Sequence, residues 1–168
     1  RKLLLLLLVI LIAAYGLTRL FSSRPERSFQ AELIRVDTAE VTSILIDLKD
    51  EKEEIILKRE AGGWIATQGD RNTRALPSAI DDILANLGAI RTRRIAARSP
   101  GQWEEYEVDA GHGARVRLYR GENLLEDFHV GGFSFDPQQQ PAASYLRLEG
   151  EAEVYAVDVF RVRGFGRR

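Results

Sequence analysis

Residues 42–67, TSILIDLKDEKEEIILKREAGGWIAT, decide the fold, because their apolar side chains recur with the period of a β-strand. Alternation over residues 44–48 predicts one strand, and the apolar group at residues 55–57 predicts a second. The charged residues 49–52 between them form a natural turn, so the two strands are expected to pair as a β-hairpin. A third strand is predicted over residues 64–67, directly after a glycine pair.

The apolar period changes after this hairpin. Ile80, Ile83, Leu84 and Leu87 are spaced as one stripe of an α-helix. Pro77 suits the first turn of that helix, and Gly88 is placed to end it. The segment is therefore predicted to be a single amphipathic helix.

A second group of short strands is predicted after the helix, at residues 91–97, 115–120, 124–130, 143–148 and 154–157. Residues 103–106 are predicted to form a turn or a short helix. Strands, one helix and then strands again are typical of an α+β domain with mainly antiparallel pairing.

The N-terminus carries an uncharged apolar run, Leu3 to Thr18. Sixteen residues of helix span about 24 Å, and the run approaches a ~30 Å hydrocarbon core if Arg19 extends to the interface. A cleaved signal peptide is the alternative, but no small-x-small cleavage site follows the run. We therefore predict a single transmembrane helix whose bilayer- and partner-facing residues include Leu3, Leu6, Ile10, Ala13, Ala14, Gly16 and Leu17.

This organisation predicts a transmembrane anchor (1–23), a linker (24–28), an α+β domain (29–158) and a basic, apolar tail (159–168). Basic residues flank the apolar run on both sides, so the positive-inside rule is nearly balanced. We expect the N-terminus in the cytoplasm of a bacterium, the helix in the inner membrane and the domain in the periplasm. The sequence has no methionine, so we expect residues to precede Arg1.

Composition excludes several classes of function. Residues 25–158 hold 16 basic and 25 acidic side chains, a balance of −9 that disfavours nucleic acid as a partner. The absence of cysteine excludes disulfides, thiolate metal sites and cysteine nucleophiles. No phosphate-binding loop, dinucleotide fingerprint, zinc-protease motif or nucleophile elbow is present.

The only candidate for catalytic chemistry is the pair Asp127 and His129, which share one face of a predicted strand. A carboxylate beside an imidazole could orient a general base or begin a metal site, but the favoured interpretation is a surface histidine beside a carboxylate. The acidic run at residues 104–109 lacks the spacing of a calcium loop and is interpreted as a solvated face. We therefore predict no catalytic, cofactor-binding or metal site, and no small-molecule substrate.

Two basic segments are candidates for contact with partners. Arg91, Arg93, Arg94 and Arg98 suit an acidic partner or lipid headgroups, or protect a solvent-facing strand edge by charge. The tail alternates apolar and cationic side chains, which suits docking on another subunit or on the membrane surface. Its candidate docking residues are Phe160, Arg161, Arg163, Phe165 and Arg167. A final strand with a frayed end is the alternative.

Several short motifs together resemble a known family, the bacterial "domain of unknown function 4340" proteins. They are Arg24–Ser28, Val41–Ile44, Ile56–Arg59 leading to Gly62-Gly63-Trp64, the Leu76-Pro77 helix, Trp103–Tyr106, His129–Gly132, Ser144–Arg147 and Val154–Val157. The family's typical Tyr-Gly turn stands here as Tyr106-Glu107. The family has no established activity, and some members are encoded beside transport components of the cell envelope. The resemblance therefore implies an accessory protein of the envelope.

These observations favour a non-catalytic accessory subunit that binds integral membrane proteins of a larger transport or energy-converting complex, photosynthetic or respiratory, within the lipid bilayer. A ligand-binding module for an envelope saccharide or peptide is the alternative, with Trp64, Trp103, Tyr106 and Tyr145 as an aromatic platform. An enzyme based on Asp127 and His129 is a third hypothesis, and it requires the two side chains to converge in a pocket.

Overall fold

A computed structural model of the chain describes residues 32–49, 51–136 and 140–158. The predicted anchor and the predicted tail lie outside these ranges, so the residues assigned to them are not placed. Among the residues described, no helix combines the length and the apolar character needed to cross a bilayer.

Within these ranges, ten strands form one antiparallel sheet, and the helix α1 spans Pro77–Gly88. The strands are β1 (Glu32–Arg35), β2 (Ser43–Asp47), β3 (Ile55–Glu60), β4 (Gly63–Gln68), β5 (Arg71–Arg74), β6 (Ala89–Ala97), β7 (Ala114–Arg120), β8 (Asn123–Asp136), β9 (Gln140–Leu148) and β10 (Val154–Asp158). Their order across the sheet is β1-β6-β10-β9-β8-β7-β2-β3-β4-β5. The prediction of an α+β domain with one amphipathic helix and mainly antiparallel strands is confirmed.

The sheet curls around the helix. α1 contacts β1 and β6 near one edge and also β4 near the other. In a flat sheet β6 and β4 would lie about 34 Å apart, since strands are spaced by about 4.8 Å. A helix of this length measures only about 18 Å, so the two ends of the sheet must curve toward it.

The main core fills the space between α1 and the sheet. The predicted stripe of the helix is buried there, with Ile44, Leu118, Phe128 and Leu146 among the sheet residues below it. We call this helix-covered side the first face of the sheet and the opposite side the second face. Because side chains alternate along a strand, burial of one set on the first face fixes which residues point to the second.

Three strands differ most from the sequence prediction, and the first is β1, which lies in a segment for which no strand was predicted. β5 was not predicted, because all four of its residues are polar and exposed and carry no alternation. β8 was expected to end at Val130, since Gly131-Gly132 has the appearance of a turn, but the strand continues to Asp136. The register shifts between Val130 and Phe133, so the glycine pair forms a bulge inside a strand.

The arginine-rich strand β6 is also placed differently from one expectation. It was considered as a charge-protected edge, but it pairs with β1 through its first residues and with β10 through the rest. Arg91 lies 4.0 Å from Glu32, and the Arg93 Nε donates to Asp158 at 2.7 Å. β6 is therefore an inner strand, and carboxylates of its neighbours balance part of its charge.

Candidate functional site

A row of ionisable side chains crosses the second face of the sheet. Asp47, Arg115, His129 and Arg147 lie side by side on β2, β7, β8 and β9. Each is next in sequence to a residue packed against the first face, so alternation directs these four side chains to the opposite side.

Five of the ionisable residues on this face are connected by hydrogen bonds and ion pairs, and we call them the ion-pair network: His129, Glu149, Arg147, Arg115 and Asp127. The His129 Nε2 lies 2.8 Å from the Glu149 carboxylate, and the Arg147 guanidinium lies 3.5 Å from the same oxygen. Arg115 donates two hydrogen bonds to Asp127, at 2.9 and 2.7 Å, and lies 3.9 Å from the second oxygen of Glu149. Glu149 therefore joins the two halves of the network.

The network sets the protonation state of the histidine. Burial lowers the pKa of His129, and the positive charges of Arg147 and Arg115 lower it further against the opposing effect of Glu149. The hydrogen bond from His129 lowers the pKa of Glu149. The imidazole is therefore neutral at pH 7, with Nε2–H donating to Glu149. Its Nδ1 atom is buried and has no hydrogen-bond partner among the residues described.

A loop at residues 98–113, which we call the covering loop, packs on the second face beside the network. It contains a short 3₁₀ helix at Pro100–Gln102, followed by a helical turn. The turn ends in a Schellman motif, because the Glu107 N–H donates to Glu104 and the Val108 N–H donates to Trp103. The prediction of a turn or short helix at residues 103–106 is confirmed.

Glu107 occupies the position of that motif where glycine is favoured. Its φ of +55° lies in the left-handed region, and it is the one non-glycine residue among those described with a positive φ. The resemblance to the family implied a Tyr-Gly turn at this place. The backbone geometry supplies the physical reason for a glycine there, and this chain departs from it with a strained glutamate.

Gly131 lets the covering loop lie directly on the sheet. A Cβ atom added there would lie 2.1 Å from the Tyr106 carbonyl oxygen and 2.7 Å from the Val108 side chain. The same carbonyl oxygen accepts a hydrogen bond of 3.0 Å from the Gly132 N–H. The backbone of the covering loop therefore packs directly on the glycine pair at residues 131–132. This contact gives a structural role to the glycines of the His129–Gly132 motif.

Arg147 joins the loop to the network. Its guanidinium lies 4.0 Å from the centre of the Trp103 ring, and its Nε donates to the Val108 carbonyl at 3.2 Å. Only 6% of the Arg147 side chain is exposed. This buried cation is stabilised by an aromatic face, a carbonyl and the Glu149 carboxylate together.

Three of the four predicted platform aromatics meet beside Arg147. Tyr106 and Tyr145 contact edge to face with their ring centres 4.6 Å apart, and Trp103 packs in the same cluster. The Trp103 Nε1 donates to the Ala152 carbonyl, and the Tyr106 hydroxyl donates to the Ala96 carbonyl. Trp64 lies elsewhere, against the main core and under Arg59. The rings are half-buried, and two of their three polar ends bond to the domain itself.

The pair proposed from sequence is only partly brought together. Asp127 and His129 do share the second face, as predicted, but they bind different partners, Arg115 and Glu149. A histidine oriented by a carboxylate is the arrangement of a general base. Here, however, Nε2 faces Glu149, Nδ1 is buried, and 5% of the side chain is exposed, which leaves no ring nitrogen open to a substrate in this conformation.

The sequence missed Glu149, Arg147 and Arg115 as members of the site. Arg115 and His129 are distant in the chain from Arg147 and Glu149, and only the register of β7, β8 and β9 brings them together. The signal that could have found them is the alternation of charged with buried apolar residues in each of these strands.

The second histidine of the chain, His112, is exposed and pairs with Asp109 at 2.9 Å, and this hydrogen bond raises the pKa of the imidazole. Within the described ranges, no three histidine or carboxylate side chains are grouped so that they could hold a metal ion.

The fold and the site define a small α+β domain. The second face of its sheet carries the ion-pair network, and the covering loop packs on that face beside the network. The family model described as Domain of unknown function (DUF4340) matches residues 64–167, and the chain belongs to this family, as the resemblance predicted. The match begins at Trp64, so the motifs before that residue lie outside it. No curated protein and no solved structure gave a significant match.

Proposed function

We propose that this protein is a non-catalytic accessory subunit of a larger bacterial membrane complex. One N-terminal helix holds it in the inner membrane, and the periplasmic domain braces the complex through direct contact with other subunits. The complex carries out transport or energy conversion, and its integral membrane proteins are the partners.

The observation that carries the proposal is how the reactive side chains of the second face are used. The histidine, the two carboxylates and the two arginines of the ion-pair network bond to each other and hold the covering loop in place. A site built for catalysis directs such groups at a substrate, whereas here they stiffen the domain. A rigid domain behind an uncharged N-terminal run of sixteen residues suits a bracing subunit.

The proposal is tested by gentle detergent extraction from native membranes, affinity capture of the full chain and mass spectrometry of the proteins that accompany it. We expect a fixed stoichiometric set of integral membrane proteins. A chain that elutes alone and monodisperse after the same extraction would refute the proposed role.

Anchoring and orientation have their own test, since the chain has no cysteine of its own to be labelled. Glu122→Cys lies in the exposed turn between β7 and β8, and Lys2→Cys precedes the apolar run. With a maleimide that does not cross the inner membrane, we expect E122C to react in intact cells and K2C to react only after lysis. The reverse pattern would overturn the orientation, and release of the chain by alkaline carbonate would overturn the anchor.

One observation favours a second candidate, a ligand-binding module. Trp103, Tyr106 and Tyr145 cluster on the second face and remain half-buried rather than fully covered. Such a surface could stack on a sugar ring. Titration of the full chain with soluble peptidoglycan fragments, followed by tryptophan fluorescence, separates the two: saturable quenching that Trp103→Phe abolishes supports binding, and an unchanged spectrum supports the bracing role.

A further inference from the structure

The sheet ends in a short strand whose outer edge has no partner among the residues described. β5 is the last strand in the sheet order, and all four of its residues are exposed. It joins β4 through a two-residue turn, with Gln68 directly opposite Arg71. In such hairpins the residues of successive pairs alternate between hydrogen-bonding each other and pointing their backbone groups outward.

This alternation identifies the free backbone groups. The pair next to the turn is hydrogen-bonded, so the N–H and C=O groups of Asn72 and Arg74 point away from β4. The hydrogen bond from the Ala75 N–H to the Trp64 carbonyl, 2.9 Å long, continues the same pattern. β5 therefore presents two donors and two acceptors in a row, as a strand that is ready to be extended does.

The charge beside this edge is positive, although the domain as a whole is acidic. Residues 55–76 carry Lys58, Arg59, Arg71 and Arg74 against Glu60 and Asp70, and the Glu53 carboxylate also lies beside Gly69 in the β4–β5 turn, so the basic side chains still outnumber the acidic ones. Arg74 donates to the Gly62 carbonyl and Arg59 to the carbonyls of residues 38 and 39, and neutral oxygens leave both charges unbalanced. Arg71 has no carboxylate partner among the residues described. An extended segment with acidic side chains is the complementary ligand.

The side chains of Arg71 and Arg74 also determine at which positions an added strand should carry acidic residues. Arg71 lies on the first face, opposite Gln68, and Arg74 lies on the second, opposite Ile65. An added strand with two acidic residues three positions apart places one of them on each face. Leu76, which is 63% exposed, directly follows the edge and offers an apolar contact.

A second copy of this chain fits the edge poorly. β5 itself carries two arginines and no carboxylate, so pairing of β5 with itself would bring four arginines together without an acidic side chain in either strand to balance them. Like charges that face each other across a strand pair destabilise it. The edge therefore selects a different, acidic chain.

We propose that β5 is a docking edge, at which an extended acidic segment of a partner subunit adds as an eleventh strand. This inference rests on the proposed bracing function and names the surface through which the domain contacts its partner. Backbone hydrogen bonds supply most of the affinity, and the two arginines supply the preference for acidic residues.

The test uses the full chain in detergent micelles and a short fluorescent peptide with two glutamates three positions apart in a valine–threonine background. We expect saturable binding by fluorescence anisotropy, with slower hydrogen exchange at the amides of Asn72 and Arg74. The same peptide with lysines in place of glutamates, or with alternate N-methylated amides, should not bind. Equal binding of the N-methylated peptide, or protection of amides outside β5, would overturn the proposal.

Two variants and a matched control locate the contact. Asn72→Pro removes an outward N–H and keeps the backbone hydrogen bonds to β4, while it also removes the side-chain hydrogen bond from Thr67 to Asn72. Arg71→Glu reverses the charge and leaves that hydrogen bond in place. Each variant should weaken binding by about tenfold. Arg98→Glu, an exposed arginine beyond the end of β6, should leave it unchanged. If N72P does not fold, R71E and the N-methylated peptide still decide the question. If R98E loses as much binding as R71E, the peptide responds only to the net charge of the domain, and the proposal is overturned.

The same variants separate this inference from the proposed function. If membrane proteins accompany the wild-type chain but not N72P or R71E, both hold. If all variants capture the same partners equally well, the accessory role stands and the docking edge is wrong. If the wild-type chain captures none, the accessory role itself is wrong.

Discussion

Replacement of Gly131 by alanine should detach or distort the covering loop, because the added methyl group has no space. Its Cβ would lie 2.1 Å from the Tyr106 carbonyl oxygen, 2.7 Å from the Val108 Cγ1 and 3.0 Å from the Glu107 carbonyl carbon. Two of these three atoms belong to backbone, so no flexible side-chain end can simply rotate away. The loop would have to retreat by about 1 Å to restore ordinary contacts.

The loop cannot retreat without breaking other bonds. The Tyr106 carbonyl accepts from the Gly132 N–H, Val108 accepts from Arg147, and the Trp103 ring bonds to the β9–β10 turn. Overpacking costs about 1–3 kcal/mol and loss of one such hydrogen bond about 1 kcal/mol. Alanine regains about 0.5–1 kcal/mol of backbone entropy. We therefore expect the free energy of unfolding to fall by about 2–3 kcal/mol.

The assay is urea unfolding of the full chain in a mild detergent, followed by tryptophan fluorescence. Trp64→Phe leaves Trp103 as the single reporter, and its emission should move to longer wavelength in G131A as the ring leaves Arg147. Gly101→Ala is the matched control, since a Cβ there meets nothing within 4 Å. An unfolding free energy in G131A equal to that of the wild type, or equal losses in both variants, would refute the reasoning.

Three further predictions follow from the same site. Acidification should destabilise the domain. Burial holds the pKa of His129 below its ordinary 6.5, so the unfolded chain takes up the proton first and stability falls as the pH drops below that value. The pKa of Glu149 is also lowered, and its protonation adds a further loss of stability below pH 4.5. In melts from pH 7.5 to 4, His129→Gln should flatten the upper part of this dependence and also reduce the lower part, because the imidazole is the main cause of the lowered pKa of Glu149. An unchanged profile would contradict the assignment. Asp127→Asn should lower the free energy of unfolding by about 1–2 kcal/mol, because it removes the charged group that accepts two hydrogen bonds from Arg115. A double-mutant cycle with Arg115→Met should show a coupling energy of about 1 kcal/mol. Additive losses would show that the pair contributes nothing. Glu107→Gly should stabilise by up to about 1 kcal/mol in thermal melts by relieving the left-handed backbone, and a lower melting temperature would show that the carboxylate matters more than the strain.

Much of the fold follows from local patterns that the sequence displays. The helix was predicted from the spacing of Ile80, Ile83, Leu84 and Leu87, with a proline at its start and a glycine at its end, and α1 has these bounds. The hairpin of β2 and β3 was predicted from alternation and a charged turn. These elements could be predicted because one buried face imposes its period on the side chains of the same segment.

The strand errors arose where that rule does not apply. β5 buries nothing, so RNTR carries no apolar period, and its strand conformation comes from the hairpin that attaches it to β4. The glycine pair inside β8 has the composition of a turn. Only the docking of the covering loop makes glycine necessary there in an extended strand.

The sequence by itself determined an α+β domain with one amphipathic helix, an acidic domain without cysteine chemistry, and a face shared by Asp127 and His129. The tertiary structure alone decided that His129 pairs with Glu149, that Arg147 lies under Trp103, and that β5 ends the sheet. The physical reason is that strand order and register are non-local: they depend on which distant segments bury their apolar faces together. Periodicity within a segment reports a face, but not the neighbour that lies across from it.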